Sequence, residues 1–234
     1  MPLISIDRAA LQFDSLHSVR QQDVRSRLVR RAAKTNLFIA DALADKLAAY
    51  YDLLLRWNRK INLTSIENVD DAIDRLLLEP IAASRYVPAT AGLLMDVGSG
   101  GGSPAIPLKL AVPRLSLTMV EVKARKSAFL REAIRQLALE STHVENARYE
   151  ELLARPELHE RHDIVSLRAV RTETQVLTSL QAFLSPGGVM MLFRGPSGPN
   201  TPTSLVPPLE WTATHPLVET LQSRVTILTK RQIR

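Results

Sequence analysis

Four of the nine glycines of this chain fall in one stretch, Asp96-Val97-Gly98-Ser99-Gly100-Gly101-Gly102, directly after the apolar run Leu93-Leu94-Met95. Glycine is concentrated this way where a chain leaving a strand must turn sharply and let a ligand approach the bare backbone. The residues beyond supply the expected context. Segment 105–111 reads as a helix, 116–121 as a second strand and 123–139 as a second helix. The alternation continues through 143–147, a short helix near Glu150, a strand at 163–167, a helix at 172–184 and a strand at 188–193. Strands alternating with helices fold as a mostly parallel sheet covered on both faces, so the class is a Rossmann-like, doubly wound α/β domain, here assigned to 89–234. Near its end, 207–216 and 224–228 read as strands with no helix long enough to cross over between them, which predicts an antiparallel C-terminal strand. Between these and the preceding strand, Gly195 to Pro202 reads as a loop.

Ahead of the sheet, Leu43, Leu47, Tyr50, Tyr51, Leu54 and Leu55 recur at helical spacing. They predict a helix of about 17 residues from Asp41 to Trp57, with Asp41 capping its first turn. A second amphipathic helix is expected over 69–78, ending near Pro80 because the residue before a proline avoids helical geometry. Together they form a helical N-terminal addition at 41–88. Residues 1–40 lack a firm apolar period and read as a flexible or lightly packed lead-in with room for a basic helix. There Arg20, Arg25, Arg27, Arg30, Arg31 and Lys34 face the single acid Asp23. Such a cluster either attracts a phosphate backbone or is a solvated arm.

The chain has no cysteine, which excludes disulfides, thiolate metal sites and thiol nucleophiles. No apolar run reaches membrane-spanning length, and the first thirty residues are too charged for a secretory leader, so a soluble cytosolic protein acting as a monomer is expected. A net charge of +6 suits a polyanionic partner without requiring one. The histidines lack paired ligand spacing, and no metal is expected.

Glu121 ends the second strand, where an acid is placed to bond both hydroxyls of an adenosine ribose. A dinucleotide would gain nothing from the carboxylate of Asp96 beside the turn, Ser103 stands in place of the third fingerprint glycine, and no phosphate-binding GKS or GKT occurs. A cofactor carrying a sulfonium and an ammonium group, S-adenosylmethionine, matches Asp96 better.

Several further segments resemble one family. Leu54-Leu55-Arg56-Trp57-Asn58 with Asn62-Leu63-Thr64, the loop DVGSGGGSPAIPL at 96–108 with Pro104 and Pro107, Glu121, Lys126-Ser127-Ala128-Phe129-Leu130, Ala147-Arg148-Tyr149-Glu150 and Ser166-Leu167-Arg168-Ala169 occur in one order and spacing. They resemble the bacterial small-subunit ribosomal RNA guanine-N7 methyltransferase family (RsmG, also called GidB) over about 41–195. The resemblance implies a class I methyltransferase fold, S-adenosylmethionine as donor, and 16S ribosomal RNA or an immature small subunit as partner. It implies cofactor contacts at Gly98, Gly100 and Ser103, ribose binding at Glu121, Tyr149 and Glu150 beside the adenine, and Arg168 as a positioning residue at the reacting end. Two residues depart from the family pattern: Ser103 replaces a phenylalanine or leucine, and Ala105 a glycine.

Methylation at guanine N7 needs no general base, because that nitrogen presents a free lone pair, so holding the reactants in line is the main task. The chain also lacks the cysteine of RNA carbon methylation and the Asn/Asp-Pro-Pro-aromatic tetrapeptide of amine methylation. From its residue type, Arg168 can steer a phosphate, bond the guanine edge, pair with the cofactor carboxylate or simply form an ion pair. Trp57 reads as core packing or a ligand contact, Asn58 and Asn62 as RNA or loop-ordering contacts, and Tyr149 as a stacking partner or a cover for the sheet. Rival functions are a small-molecule methyltransferase, an RNA-binding assembly factor without turnover, and a nicotinamide-dependent oxidoreductase.

Overall fold

The structure, a computed structural model, describes residues 22–168, 173–196, 205 and 207–232. Its centre is a seven-stranded sheet of β1 (Leu93–Val97), β2 (Ser116–Val120), β3 (Thr142–Glu145), β4 (His162–Arg168), β5 (Leu184–Arg194), β6 (Leu209–Pro216) and β7 (Arg224–Lys230). The spatial order is β3-β2-β1-β4-β5-β7-β6. The first five strands pair in parallel, and β7 runs antiparallel between β5 and β6, as expected from the missing crossover helix. The strand order reverses at β1, with β2 on one side and β4 on the other, so the carboxyl ends of these strands open the crevice where doubly wound sheets take ligands.

Alternation along the strands divides the core between the two faces. Leu94, Leu117, Met119, Ile164, Met191 and Val225 pack on one face. That face is covered by α2 (Asp41–Asn58), α5 (Ala105–Ala111) and α6 (Ala124–Gln136). Met95, Val97, Val165, Leu167, Met190 and Leu228 pack on the other. There Leu152 of α7 (Tyr149–Leu152) and Leu177 and Leu180 of α8 (Thr174–Leu180) join them. The predicted start of α8 at Thr172 lies outside the described residues.

Three expectations need correction. Residues 22–34 form a packed helix, α1, that buries Val24, Leu28 and Ala32 at four-residue spacing. Its cations are largely occupied: Arg25 pairs with Asp41 and, at 2.6 Å, Asp45, while Arg31 pairs with Asp70 at 2.8 Å and Asp74 at 2.6 Å. The lead-in from about residue 22 is therefore docked on the helical addition, with Arg30 and Lys34 still exposed. Residues 1–21, Arg20 included, lie outside the described residues, as does most of the loop expected at Gly195 to Pro202. Asp41 does not cap α2 through its side chain; Ala40 holds the cap position, and the Asp41 carboxylate turns to Arg25.

The third correction concerns Pro80. The helix does not stop there but runs from α3 (Val69–Ile73) through a π-helical turn (Asp74–Leu78) into α4 (Glu79–Ala83). Asn68 caps its start, accepting from the N–H groups of Asp70 and Asp71. The wider turn accommodates the proline: the Glu79 N–H reaches back to the Asp74 carbonyl, and Pro80 has no N–H to place. Two main-chain carbonyls before it are thereby opened to side-chain donors.

Candidate active site

The glycine turn is held against β2. The N–H groups of Gly98 and Ser99 both donate to the Val120 carbonyl, at 2.9 and 3.1 Å. Gly98, Gly100 and Gly102 all have positive φ, and a β-carbon on Gly102 would lie 2.6 Å from the Ile106 side chain, so that position needs glycine. Glu121 follows β2 directly and is buried; its carboxylate accepts from the Gly100 N–H at 2.9 Å and the Lys123 N–H at 2.8 Å. It therefore ties the turn to the start of α6 while retaining acceptor capacity for a ligand.

Beside it lies a cavity of about 240 Å³ lined by Val97, Gly98, Val120, Glu121, Val122, Ala147, Arg148, Tyr149 and Glu150. Four predicted cofactor residues, Gly98, Glu121, Tyr149 and Glu150, are thus brought to one cavity. Its lining combines valine and alanine with two carboxylates, Glu121 and Glu150, and the aromatic ring of Tyr149. That chemistry fits a nucleoside, a flat apolar base joined to a sugar that offers hydroxyl donors. The Tyr149 phenol is raised from its ordinary pKa by burial and by the Glu150 carboxylate, which keeps it protonated and neutral.

Asp96, Gly100, Ser103 and Arg168 do not line that cavity. Asp96 is buried at the end of β1, where its Oδ1 accepts from the Ser166 hydroxyl at 2.6 Å. Burial raises its carboxyl above the usual range, and hydrogen bonds from Ser166 and Ser99 and the nearby charge of Arg168 oppose the shift. A further cation brought close would favour the ionised form.

Arg168 and Ser103 meet each other at the π turn. Arg168 Nη1 donates to the Arg75 carbonyl at 2.6 Å and to Ser103 Oγ at 3.0 Å, while Nη2 pairs with Glu79 at 2.8 Å. Ser103 Oγ donates in turn to the Leu76 carbonyl at 2.8 Å. These are the carbonyls left open ahead of Pro80. The Arg168 guanidinium also lies over the Phe193 ring, 5.0 Å from its centroid. Its pKa is held below the ordinary value because burial outweighs the attraction of Glu79.

Sequence reasoning missed Glu79 and Tyr50. Glu79 bridges Arg168 and Arg75, the latter at 3.2 Å. Nothing local marks it, since a glutamate beside a proline on an amphipathic stretch looks like a solvated residue. Tyr50 is buried in α2 and donates its phenol to the Gly101 carbonyl, and burial pushes its pKa well up. Its helical spacing marked it as core, but its hydroxyl fastens the helical addition to the glycine turn. Asn58 orders the following loop, accepting from the Leu63 and Thr64 N–H groups and donating to the Thr64 carbonyl. Trp57, partly buried, packs edge-on against Phe129, with ring centroids 5.8 Å apart, at the margin of the core.

Comparison with known proteins gives the family and the fold. The family model described as rRNA small subunit methyltransferase G matches residues 43–200. The chain is 38% identical to the ribosomal RNA small subunit methyltransferase G of Xylella fastidiosa strain 9a5c, over 73% of this chain and 78% of that protein. It is 32% identical to the protein of the same name from Syntrophotalea carbinolica, over 75% of this chain and 80% of that one. A SAM-dependent methyltransferase from Aquifex aeolicus shares the fold, with a TM-score of 0.51 and 13% identity over 73% of this chain and 98% of that one. With its glycine turn, second-strand acid and N-terminal helices set in one frame, this chain belongs to the rRNA small subunit methyltransferase G family.

Proposed function

We propose that the protein transfers a methyl group from S-adenosylmethionine to the N7 position of a guanine in 16S ribosomal RNA. The observation that carries the reading is the crevice at the carboxyl ends of β1 and β2. There Gly98, Glu121, Tyr149 and Glu150 line one nucleoside-sized cavity in a chain of that family. When bound, S-adenosylmethionine supplies an electrophilic methyl group on a positively charged sulfur. Glu121 would hold the ribose hydroxyls, Val97, Val122 and Ala147 would cover the base, and Tyr149 and Glu150 would border it. Asp96 and the backbone of Gly98 and Gly100 would face the charged end.

No residue here is asked to remove a proton. The work assigned to the chain is to exclude water and hold the guanine in line, which proximity and fixed dipoles accomplish. Arg168 acts as a positioning residue: its guanidinium is locked by Glu79, Arg75 and Ser103 beside the end of β4.

The test is transfer of labelled methyl to 16S RNA lacking modifications, supplied both naked and as small subunits, followed by mass spectrometry of the nucleosides. Wild-type protein is expected to yield 7-methylguanosine, and Glu121→Ala to lose it by weakening cofactor binding. Label in another nucleoside would overturn the N7 assignment, and cofactor binding without any labelled RNA would overturn the RNA substrate.

A further inference from the structure

Asp74 opens the π turn and is only 1% exposed, a depth at which a carboxylate needs close compensation. Arg31 of α1 supplies it as a fork: Nε donates to Asp74 Oδ1 and Nη2 to Oδ2, both at 2.6 Å. Nη1 of the same guanidinium reaches Asp70, one helical turn earlier, at 2.8 Å. The fork holds the Arg31 guanidinium above its ordinary pKa although burial opposes it. A further donor arrives from the other end of the chain. Thr220, in the short turn Glu219–Leu221 between β6 and β7, donates its hydroxyl to Asp74 Oδ2 at 2.9 Å. Arg31 and Thr220 both lie outside residues 43–200, the segment matched by the family model, and they converge on one carboxylate within it.

The main chain of Asp74 faces the candidate site. Its carbonyl accepts the Glu79 N–H, which closes the turn, and the Glu79 carboxylate pairs with Arg168 at 2.8 Å. The next two carbonyls, of Arg75 and Leu76, accept from Arg168 Nη1 and from Ser103 Oγ, and Ser103 Oγ in turn accepts from Nη1. Each of the three acceptors around the Arg168 guanidinium therefore belongs to the turn and its following residue or is tied to them. Moving the turn by about 1 Å would carry these contacts beyond hydrogen-bond range. The ion pair of Arg25 with Asp41 and Asp45 docks α1 in a different way, on exposed carboxylates of α2.

We propose that Arg31 and Asp74 are positioning residues for methyl transfer: their fork, with Thr220, fixes the π turn and through it the Arg168 guanidinium at the reacting end. The inference rests on Arg168 acting there, as proposed above. Without Arg31, Asp74 keeps a buried carboxylate with only the Thr220 hydroxyl of these donors. It regains solvation by turning outward, and that movement drags the carbonyl that receives Glu79. The segments flanking the family-matched part of the chain thereby gain a role in the reaction.

The experiment measures single-turnover methyl transfer to unmodified 16S RNA, naked and in small subunits, at saturating cofactor, with cofactor affinity read by calorimetry. The proteins are wild type, Arg31→Ala, Arg31→Lys, an Arg31→Met/Asp74→Leu double variant, and Arg25→Ala as a control on the same helix. Arg31→Ala should slow transfer about tenfold to a hundredfold, the loss expected from a misplacement remote from the chemistry. Cofactor affinity should be unchanged, because the cavity at Glu121, Tyr149 and Glu150 is built from other elements. Arg31→Lys keeps the charge without the fork and should recover part of the rate. The double variant removes both charges and keeps α1 packed, so it should melt near the wild type and still be slow. Arg25→Ala should transfer at the wild-type rate. Spectra of nitrogen-labelled arginine side chains, with Arg168→Lys for assignment, read the position directly: separate Nη1 and Nη2 signals in the wild type should merge in Arg31→Ala and in the double variant.

A wild-type rate in the folded double variant, or equal slowing by Arg25→Ala and Arg31→Ala, would overturn the proposal and leave the pair a stabiliser of the fold alone. Slowed transfer with unchanged Arg168 signals, or with cofactor affinity lost in step, would overturn the route through Arg168. If Arg31→Ala does not fold, the double variant decides. Arg168 signals that depend on Arg31 in a wild-type protein that methylates no RNA would refute the proposed reaction and uphold the coupling of α1 to Arg168.

Discussion

Replacing Glu79 with alanine tests whether the centre of the site is a buried ion-pair lock or a solvated one. The Glu79 side chain is 1% exposed and that of Arg168 is 10% exposed. Removing the carboxylate leaves the Arg168 guanidinium with two neutral acceptors, the Arg75 carbonyl and Ser103 Oγ, and no counter-charge among these contacts. Breaking one side of such a pair costs about 3–5 kcal/mol, because the remaining charge has lost its compensation. Arg75, whose side chain is 30% exposed, can turn to water and adds little. At about 2–4 °C per kcal/mol for a chain of this size, the melting temperature should fall by roughly 6–20 °C.

A second variant separates charge from shape. Glu79→Leu combined with Arg168→Met removes both charges and leaves apolar groups in the space. Its remaining deficit is the Arg75 carbonyl, a buried acceptor whose loss of a partner costs about 1–3 kcal/mol. The double variant should therefore melt above Glu79→Ala. Thermal melts followed by circular dichroism decide the matter. A Glu79→Ala protein melting within about 2 °C of wild type, or a double variant no more stable than the single one, would refute the lock. If the double variant folds and binds cofactor but does not methylate, the charge of Arg168 is needed for more than the fold.

Three other outcomes follow from the geometry. Tyr50→Phe removes the donor to the Gly101 carbonyl and should cost about 1–3 kcal/mol in denaturant unfolding, with a weaker cofactor dissociation constant because the glycine turn is loosened. Unchanged cofactor affinity would show that the turn holds without the phenol. Asp96→Asn should raise the melting temperature of the free protein at neutral pH, since the buried carboxyl is pushed up and its ionised form is disfavoured, yet it should weaken cofactor binding. Wild-type affinity should also fall as pH drops through the raised Asp96 pKa, and a flat pH profile would count against Asp96 facing the cation. His162 is pulled below its ordinary value by burial, so the unfolded chain takes up its proton first; stability should be complete above about pH 6.5 and decline as pH falls through the window below it. His162→Gln should lose that acid-side slope in a pH series of urea melts.

The alternation of strands and helices, the antiparallel end and the glycine turn were legible because each rests on local rules: side-chain period, glycine conformation and the length of connection a crossover needs. The lead-in was not. Val24, Leu28 and Ala32 form a short apolar stripe that is unconvincing until α2 and the Asp70–Asp74 turn supply its partners, and six cations in fifteen residues disguised ion pairs to acids 16 to 43 positions away. In the sequence Asn58 reads equally as an RNA contact or a loop-ordering one; its loop contacts depend on the chain doubling back at Leu63 and Thr64. Glu121 is marked by its place at the end of the second strand, and Tyr149 and Glu150 by the family resemblance; all three line one cavity. Glu79 and Tyr50 act on the site from other elements, across contacts that no spacing rule encodes.

Ser103 shows how a departure from a family pattern acquires meaning only through its neighbours in space. Read alone, a serine in place of a phenylalanine or leucine is a loss of apolar contact in the cofactor loop. In the fold its hydroxyl donates to Leu76 and accepts from Arg168, just where Pro80 withdraws a main-chain N–H from the helix. A phenylalanine or leucine at that position cannot donate to the carbonyl, and an unanswered buried carbonyl costs about 1–3 kcal/mol. The proline and the serine therefore depend on each other: the proline opens the carbonyl and the serine closes it. Arg168 benefits from both, since the same π turn offers it the Arg75 carbonyl and the same serine offers it an oxygen. Ser103→Ala should accordingly cost stability and loosen Arg168, and changing Pro80 to alanine in the same chain should return part of the loss by restoring an N–H to the turn. If the two substitutions instead add independently in a double-mutant cycle, the coupling argued here is absent.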